Sequence, residues 1–329
     1  MKTYLFIAGI FACASTLMAD AADDFSQKVW TSWDTKGTVV KSTLNKNEGC
    51  KAKGAMQIMF PKGTRGGNLK NFPVEPDSFY VAEIMTKSAD KNAVFSLSVH
   101  DFGETNKFKD TMVSRSFNAA SEWQKISIPF RTSGKTKFVR ILTGVKSQPN
   151  APAFFDDFKL TKTDSLEIKD SFNFKESWSI WSGKNAKMKF SIDNSVGKQS
   201  APAAKVEVLA GNAEKSSSVL MNNISVLPGK TYTLSIFVKT KGISPKAKIS
   251  LGFQCKDENF KYLNVTYPST FTTAENCSDW KQLVITRKIP TTGNWGKVRN
   301  ILVTLGISGT AAPGTVWFDD FEIFTEETE

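Results

Sequence analysis

The sequence predicts an all-β chain: two antiparallel β-sandwiches in tandem behind a secretory signal peptide. Three observations carry this expectation. First, landmark residues recur in one order: Trp30 and Trp33 as Trp178 and Trp181, Gly49 as Gly197, Pro76 and Tyr80 as Pro228 and Tyr232, Trp123 as Trp280, Phe154 as Trp317. The offset between partners only grows, as in a tandem duplication with small insertions in the second copy. Second, short runs alternate apolar and polar residues, as half-buried strands do. Third, Phe154-Phe155-Asp156-Asp157-Phe158 is echoed by Trp317-Phe318-Asp319-Asp320-Phe321, each time where a domain would end.

Taken in order, the chain opens with Lys2, an apolar run from Tyr4 to Leu17 and then small residues. This reads as a signal peptide over residues 1–21, with Ala19-Asp20-Ala21 at the cleavage site. The run is short for a bilayer span. The protein is therefore expected to be secreted or periplasmic, with a lipid anchor at Cys13 as the alternative. The first copy is placed at 22–163 and the second at 164–329. With 329 residues, of which 40% are hydrophobic, the chain holds enough apolar material for two cores. Within the copies, Tyr80, Ala82, Ile84 and Thr86 alternate, as do Ile126, Ile128 and Phe130 after Trp123. Ala204, Val206 and Val208 follow in the second copy, then Tyr232, Leu234, Ile236 and Val238. Turn signals separate them, among them Pro61-Lys62-Gly63, Pro228-Gly229 and Thr292-Gly293-Asn294. Trp123 and Trp280, at the head of apolar strands, are expected in the cores. In the closing strands, alternation sends neighbouring aspartates to opposite faces. One of each pair is expected to turn inward and to need a cation or backbone donors.

The formal charge of +11 admits acidic glycans, anionic surfaces or nucleic acid as partners. The lysines are scattered, and no basic stripe is interleaved with stacking residues, so nucleic acid is not expected. One histidine, His100, leaves no pair for zinc, and the cysteines lack zinc spacing. Neither a G-x-S-x-G elbow nor a phosphate-cradling glycine loop occurs. No later stretch is apolar and long enough to cross a membrane. Once Cys13 leaves with the signal peptide, Cys50, Cys255 and Cys277 remain. Cys255 and Cys277 occur in the second copy alone and flank a two-strand segment. They are expected to form a disulfide, with Cys50 free.

Each copy resembles a CenC-like carbohydrate-binding module, the group that includes families 4, 9 and 22. The resemblance rests on residues in family order: Phe25 with Trp30 and Phe172 with Trp178, then Gly49 and Gly197. Pro-Gly-Lys-Thr-Tyr-Thr-Leu-Ser follows at 228–235, with its weaker counterpart at 76–83, then the Trp123 and Trp280 strands and the closing Phe-Asp-Asp-Phe. Ser26 and Asn173 stand where the family often has an acidic residue. The resemblance implies a jelly-roll, galactose-binding-like sandwich, a glycan ligand and a structural calcium near the closing aspartate. Asp156 and Asp319 are the expected calcium ligands, since calcium takes several oxygens, backbone carbonyls included.

Sugar rings stack on exposed aromatic faces while polar groups orient their hydroxyls. The expected carbohydrate-binding residues are Trp30, Trp33, Trp178, Trp181, Tyr262, Tyr267 and Trp295. A spacing of three along a strand puts Trp30 and Trp33 on opposite faces, and Trp178 and Trp181 likewise, so one of each pair can enter the core. Adjacent aspartates on a strand cannot flank one glycosidic bond as hydrolysis requires. The expected function is non-catalytic polysaccharide binding, with an acidic polysaccharide among the options. The alternatives are a glycan hydrolase or lyase on the same scaffold, and a surface adhesion protein.

Overall fold

A computed structural model describes residues 21–25, 30–103, 107–173, 177–184, 186–210, 217–310 and 312–326. Most of the expected signal peptide, with Cys13, lies outside the described residues. Described residues include no helix long and apolar enough to cross a membrane.

The chain is all-β. Its first half runs β1 (Ala21–Asp23), β2 (Thr31–Asp34), β3 (Val39–Asn45), β4 (Ala55–Lys62), β5 (Arg65–Pro73), β6 (Phe79–Ser88), β7 (Val94–Asp101), β8 (Asp110–Asn118), β9 (Gln124–Arg131), β10 (Phe138–Lys146) and β11 (Ala153–Thr163). Its second half runs β12 (Glu167–Asp170), β13 (Ser179–Ser182), β14 (Met188–Asp193), β15 (Ala203–Val208), β16 (Ser217–Ser225), β17 (Thr231–Lys241), β18 (Lys248–Lys256), β19 (Ser269–Thr273), β20 (Lys281–Lys288), β21 (Asn300–Ser308) and β22 (Gly314–Thr325). Four antiparallel sheets result. One has the order β3-β4-β11-β6-β9, with β1 also on β11, and faces β2-β5-β10-β7-β8. The second half repeats this strand for strand: β14-β15-β22-β17-β20, with β12 on β22, faces β13-β16-β21-β18-β19. These are two tandem jelly-roll sandwiches, and each apolar set of the alternating strands fills the space between its two sheets.

The repeated landmarks turn out to be structural devices. Phe25 and Phe172 have positive φ (51° and 53°). In each copy an aspartate two residues earlier accepts the phenylalanine N–H (Asp23 at 2.9 Å, Asp170 at 2.8 Å) and the indole Nε1–H of Trp30 or Trp178, both at 3.0 Å. Tyr80 and Tyr232 are buried, and each phenol oxygen accepts the backbone N–H of the residue five positions back, Glu75 at 2.9 Å and Leu227 at 2.7 Å. That bond ties the incoming turn to the strand and explains why proline and tyrosine recur together.

The closing strands share one bulge. Asp157 and Phe158 oppose Ile84 alone, and Asp320 and Phe321 oppose Ile236 alone. The extra residue resets the alternation, so Phe155 and Phe158 both reach the first core, and Phe318 and Phe321 the second. Asp157 and Asp320 take the left-handed conformation (φ 50° and 48°), which aspartate tolerates better than most residues.

Two expectations are corrected. Trp123 and Trp280 are half-buried on the outer faces, beneath the ammonium groups of Lys87 and Lys239, each 6.0 Å from the ring. The inward positions of their strands are Ile126, Ile128 and Phe130, and Leu283 and Ile285, which have the opposite parity. The Cys255–Cys277 disulfide is not formed; both are buried free thiols, as Cys50 is a free, half-buried one. The β18–β19 hairpin pairs Lys248 with Thr273 and Gly252 with Ser269. Cys255 thus lies past the loop end of the ladder and Cys277 past its open end, roughly 20 Å apart along strands that rise about 3.4 Å per residue. A disulfide tolerates Cα atoms only within about 7 Å.

The halves meet along a polar seam. Arg131 of β9, 4% exposed, donates to Asp77 Oδ1 (3.1 Å) and to both carboxylate oxygens of Glu258 in the second half (3.1 and 2.9 Å). Arg299 approaches the same two acids at 3.7 and 3.9 Å. Phe79 of the first half packs into the second core.

Candidate ligand-binding faces

The expected aromatic residues separate into buried and displayed sets. Trp30 and Trp178 are 3% and 4% exposed and belong to the cores, against Phe158 and Phe321 at 5.2 Å between ring centroids in both cases. They are not ligand contacts; their indole N–H groups are spent on Asp23 and Asp170. Trp295 opens a short 3-10 turn, packs half-buried on the second core and carries the Arg287 guanidinium 5.1 Å above its ring. It caps a core edge and does not stand over a sheet. Trp33, Trp181, Tyr262 and Tyr267 remain at the surface.

Cross-strand register brings Trp181 into one row with Val219, Gly306, Ser250 and Phe271. The row crosses all five strands of the β13-β16-β21-β18-β19 sheet on its outer side, since Leu220, Ile249, Leu251, Leu305 and Ile307 fill the inner one. At roughly 4.8 Å per strand the two end residues stand about 19 Å apart. Both are displayed, Trp181 at 52% and Phe271 at 61% exposure. Between them Gly306 and Ser250 keep the floor low. Lys248 holds its ammonium 5.1 Å from the Phe271 ring. Further along this face Lys256 donates to Asn223 Oδ1 (3.1 Å) and lies 4.7 Å from the Tyr262 ring. Tyr267 donates its hydroxyl to Leu263 O (3.1 Å), which fixes the loop that carries both tyrosines. The five strands of this sheet contain no aspartate or glutamate.

In the first half the corresponding row is Trp33, Gly67, Gly144, Ser96 and Ser116. Here Trp33 lies down on the sheet. Its Nε1 donates to Thr143 O (3.1 Å), and a side chain on Gly144 would meet its ring carbon Cζ2 at 2.9 Å. Serines line the neighbouring floor, with Ser98 and Ser114 hydroxyls 2.6 Å apart.

The closing aspartates were expected to hold calcium. Asp156 is 4% and Asp319 1% exposed. Both carboxylate oxygens of each accept backbone N–H groups: Cys50 N (2.6 Å) and Asp157 N (2.7 Å) for Asp156, Lys198 N (2.7 Å) and Asp320 N (2.8 Å) for Asp319. Desolvation raises both carboxyl pKa values above the ordinary range, against the amide hydrogen bonds. Lysines take up the neighbouring acids, Lys51 with Asp157 and Lys198 with Asp320 (3.9 Å). No group of three or more metal-binding side chains occurs among the described residues. Positive N–H dipoles and an ammonium are the wrong lining for a dication, so this donor set fits a hydrogen-bonded turn and not calcium.

Sequence reasoning missed Phe271. It stands in Ser-Thr-Phe-Thr-Thr, where neither face is marked by apolar neighbours, and only the pairing with Ser250 shows which way it points. The signal that separates Trp30 from Trp33 was in the sequence: an aspartate two residues before each opening phenylalanine, at Asp23 and Asp170.

No family profile matches the sequence, and no curated protein is similar to it. Solved structures do show a likeness of low score. The tandem CBM22-1–CBM22-2 domain of Xyn10C from Paenibacillus barcinonensis aligns over 94% of this chain and 97% of its own, at 13% identity and a TM-score of 0.37. The CBM22-1 xylan-binding domain of the same protein aligns over 43% of this chain and 92% of its own, at 12% identity and a TM-score of 0.35. TmCBM61, solved with β-1,4-galactotriose, aligns over 45% of this chain and 88% of its own, at 20% identity and a TM-score of 0.32.

Proposed function

We propose that the chain is an exported polysaccharide-binding protein that holds its ligand without cleaving it, chiefly on the outer face of the second sandwich. One observation carries the reading: Trp181 and Phe271 stand exposed at opposite ends of one cross-strand row, with Val219, Gly306 and Ser250 between them. Two displayed rings over this floor suit a chain of sugars, whose C–H faces stack while hydroxyls bond to side chains such as Gln254 and Asn223, which share a second row of the same sheet through Leu302. The ordered motifs that resemble CenC-like modules point to the same ligand class. A sheet without carboxylates supports binding over hydrolysis, because a glycosidase flanks the scissile bond with two of them.

The test is a glycan array with the exported chain, followed by calorimetric titration of the best neutral oligosaccharides. Affinity is expected to rise with the number of sugar units, with no new reducing ends. An array without binders, or release of reducing or unsaturated ends, would overturn the proposal.

A further inference from the structure

We infer that the seam between the two sandwiches is a second ligand site, one that reads the negative charge of an acidic polysaccharide. The inference rests on the glycan reading above and adds the class of glycan.

A cleft of about 820 Å³ lies between the outer face of the first sandwich and the segment that opens the second. Arg65, His100, Arg115, Lys146 and Lys169 line it, with Asp170 as the lining carboxylate. That carboxylate is spent, since its two oxygens accept the Phe172 N–H and the Trp178 indole N–H. Lys169 is paired with Glu167 at 2.8 Å, so Arg65, Arg115 and Lys146 carry the cleft's positive charge against one carboxylate already held by N–H donors. It draws side chains from both halves of the chain, so neither sandwich alone could form it. Ser96, Ser98, Ser114 and Ser116 supply hydroxyls along its floor, and the flat Trp33 ring lines it as well.

Arg115 occupies the junction. With Ser114 and Ser177 it also lines an adjoining groove of about 350 Å³, which continues to Ser179, Met221 and Asn223 of the second sandwich. The two hollows thus connect the Trp33 face to the edge of the Trp181 face. The Arg115 guanidinium touches the second half through Lys169 O at 3.4 Å. Desolvation in the seam lowers its pKa from the ordinary value, with Asp170 opposing. An arriving carboxylate would meet a cation already partly stripped of water, whose planar fork suits a bidentate pair.

A polysaccharide fits these features better than a nucleic acid. Single-stranded nucleic acid binds where successive exposed rings stack its bases. Here the one tryptophan lies flat, pinned by Thr143 O, and the floor is hydroxylic.

The test titrates the exported chain with polygalacturonate, alginate and glucuronoxylan, each beside its carboxyl-reduced form, at low and high salt. At least one acidic form is expected to bind about tenfold more tightly than its reduced form at low salt. That gap should close at high salt, as screening shortens the reach of exposed charges. Arg115→Gln is expected to shrink the gap severalfold and leave the reduced form unaffected. Lys146→Gln, at an exposed position, tests the same charge without disturbing folding. Equal binding of acidic and reduced forms across all three pairs would overturn the charge-reading seam and leave the glycan proposal standing. Failure of every glycan, neutral or acidic, would overturn both. An oligonucleotide that binds more tightly than any glycan would overturn the assignment to polysaccharide.

Discussion

The two sandwiches share every strand pairing and differ where a ligand would lie. Trp33 and Trp181 hold the same register position. Beside Trp33 stands Gly67, and beside Trp181 stands Val219. Trp33 lies against Gly144 and bonds to Thr143 O, whereas Trp181, paired with Val219, stands half in solvent. At the far end of the row Ser116 in the first half answers Phe271 in the second. The interior devices are the same in both copies, while the outer rows differ at Gly67 against Val219 and at Ser116 against Phe271. The shared fold sets where a ligand can lie, and these few side chains set how it is held.

The largest effects are expected in the shared interior. Trp30→Ala and Trp178→Ala should each cost about 3–5 kcal/mol, the usual range for truncating a buried aromatic residue. The two losses should be alike, because the aspartate and phenylalanine partners are alike; denaturant unfolding measures them. A tolerated substitution in either half would mean that the repeated motif is not what holds the cores. Next in size is Asp319→Ala, with Asp156→Ala as its counterpart. Each leaves two backbone N–H groups without an acceptor, at about 1–3 kcal/mol apiece. Calcium and chelator should give the same thermal midpoint in the parent chain, and a midpoint raised by calcium would restore the metal role for these aspartates.

Smaller effects sharpen the surface difference. Phe271→Ala should weaken glycan binding about 3- to 10-fold, the equivalent of about 0.5–1.5 kcal/mol for one aromatic contact, with stability unchanged. The converse change, Ser116→Phe in the first half, should strengthen binding by a smaller factor, since Trp33 stays flat. The smallest effect concerns pH. Asp156 and Asp319 have folded pKa values raised by desolvation, so the folded state holds their protons more tightly than the unfolded one. Their contribution is greatest below the ordinary carboxylate pKa and is lost as pH rises through the folded value. The stability cost of Asp319→Asn should therefore be larger at low pH than at neutral pH. A cost that grows toward neutral pH would contradict the assigned direction.

Much of this architecture was legible in the sequence because duplication wrote it twice. Trp, Pro-Tyr and Phe-Asp-Asp-Phe recur in order, and each proved to be an indole bonded to aspartate, a phenol that ties a turn, or a bulge. Alternation also gave the opposite facing of Trp30 and Trp33, and of Trp178 and Trp181. Alternation alone could not say which member of each pair turns inward; the aspartate two residues before each opening phenylalanine marks Trp30 and Trp178, whose rings then pack on Phe158 and Phe321. Spacing misled where the geometry is non-local. Cys255 and Cys277 flank one hairpin, yet its register carries them to opposite ends. Arg115 and Lys169 lie far apart in the chain, and only the docking of the two halves brings them to one cleft.

The second sandwich is expected to be the stronger neutral-glycan face, and a paired titration distinguishes the two. Trp181→Ala and Trp33→Ala, each checked for folding, are titrated against the neutral oligosaccharide that the parent chain binds best. The expected result is a loss of about tenfold or more for Trp181→Ala and less than about twofold for Trp33→Ala, given that stacking is worth up to about 1.5 kcal/mol per ring. Equal losses, or a larger loss at Trp33, would contradict it.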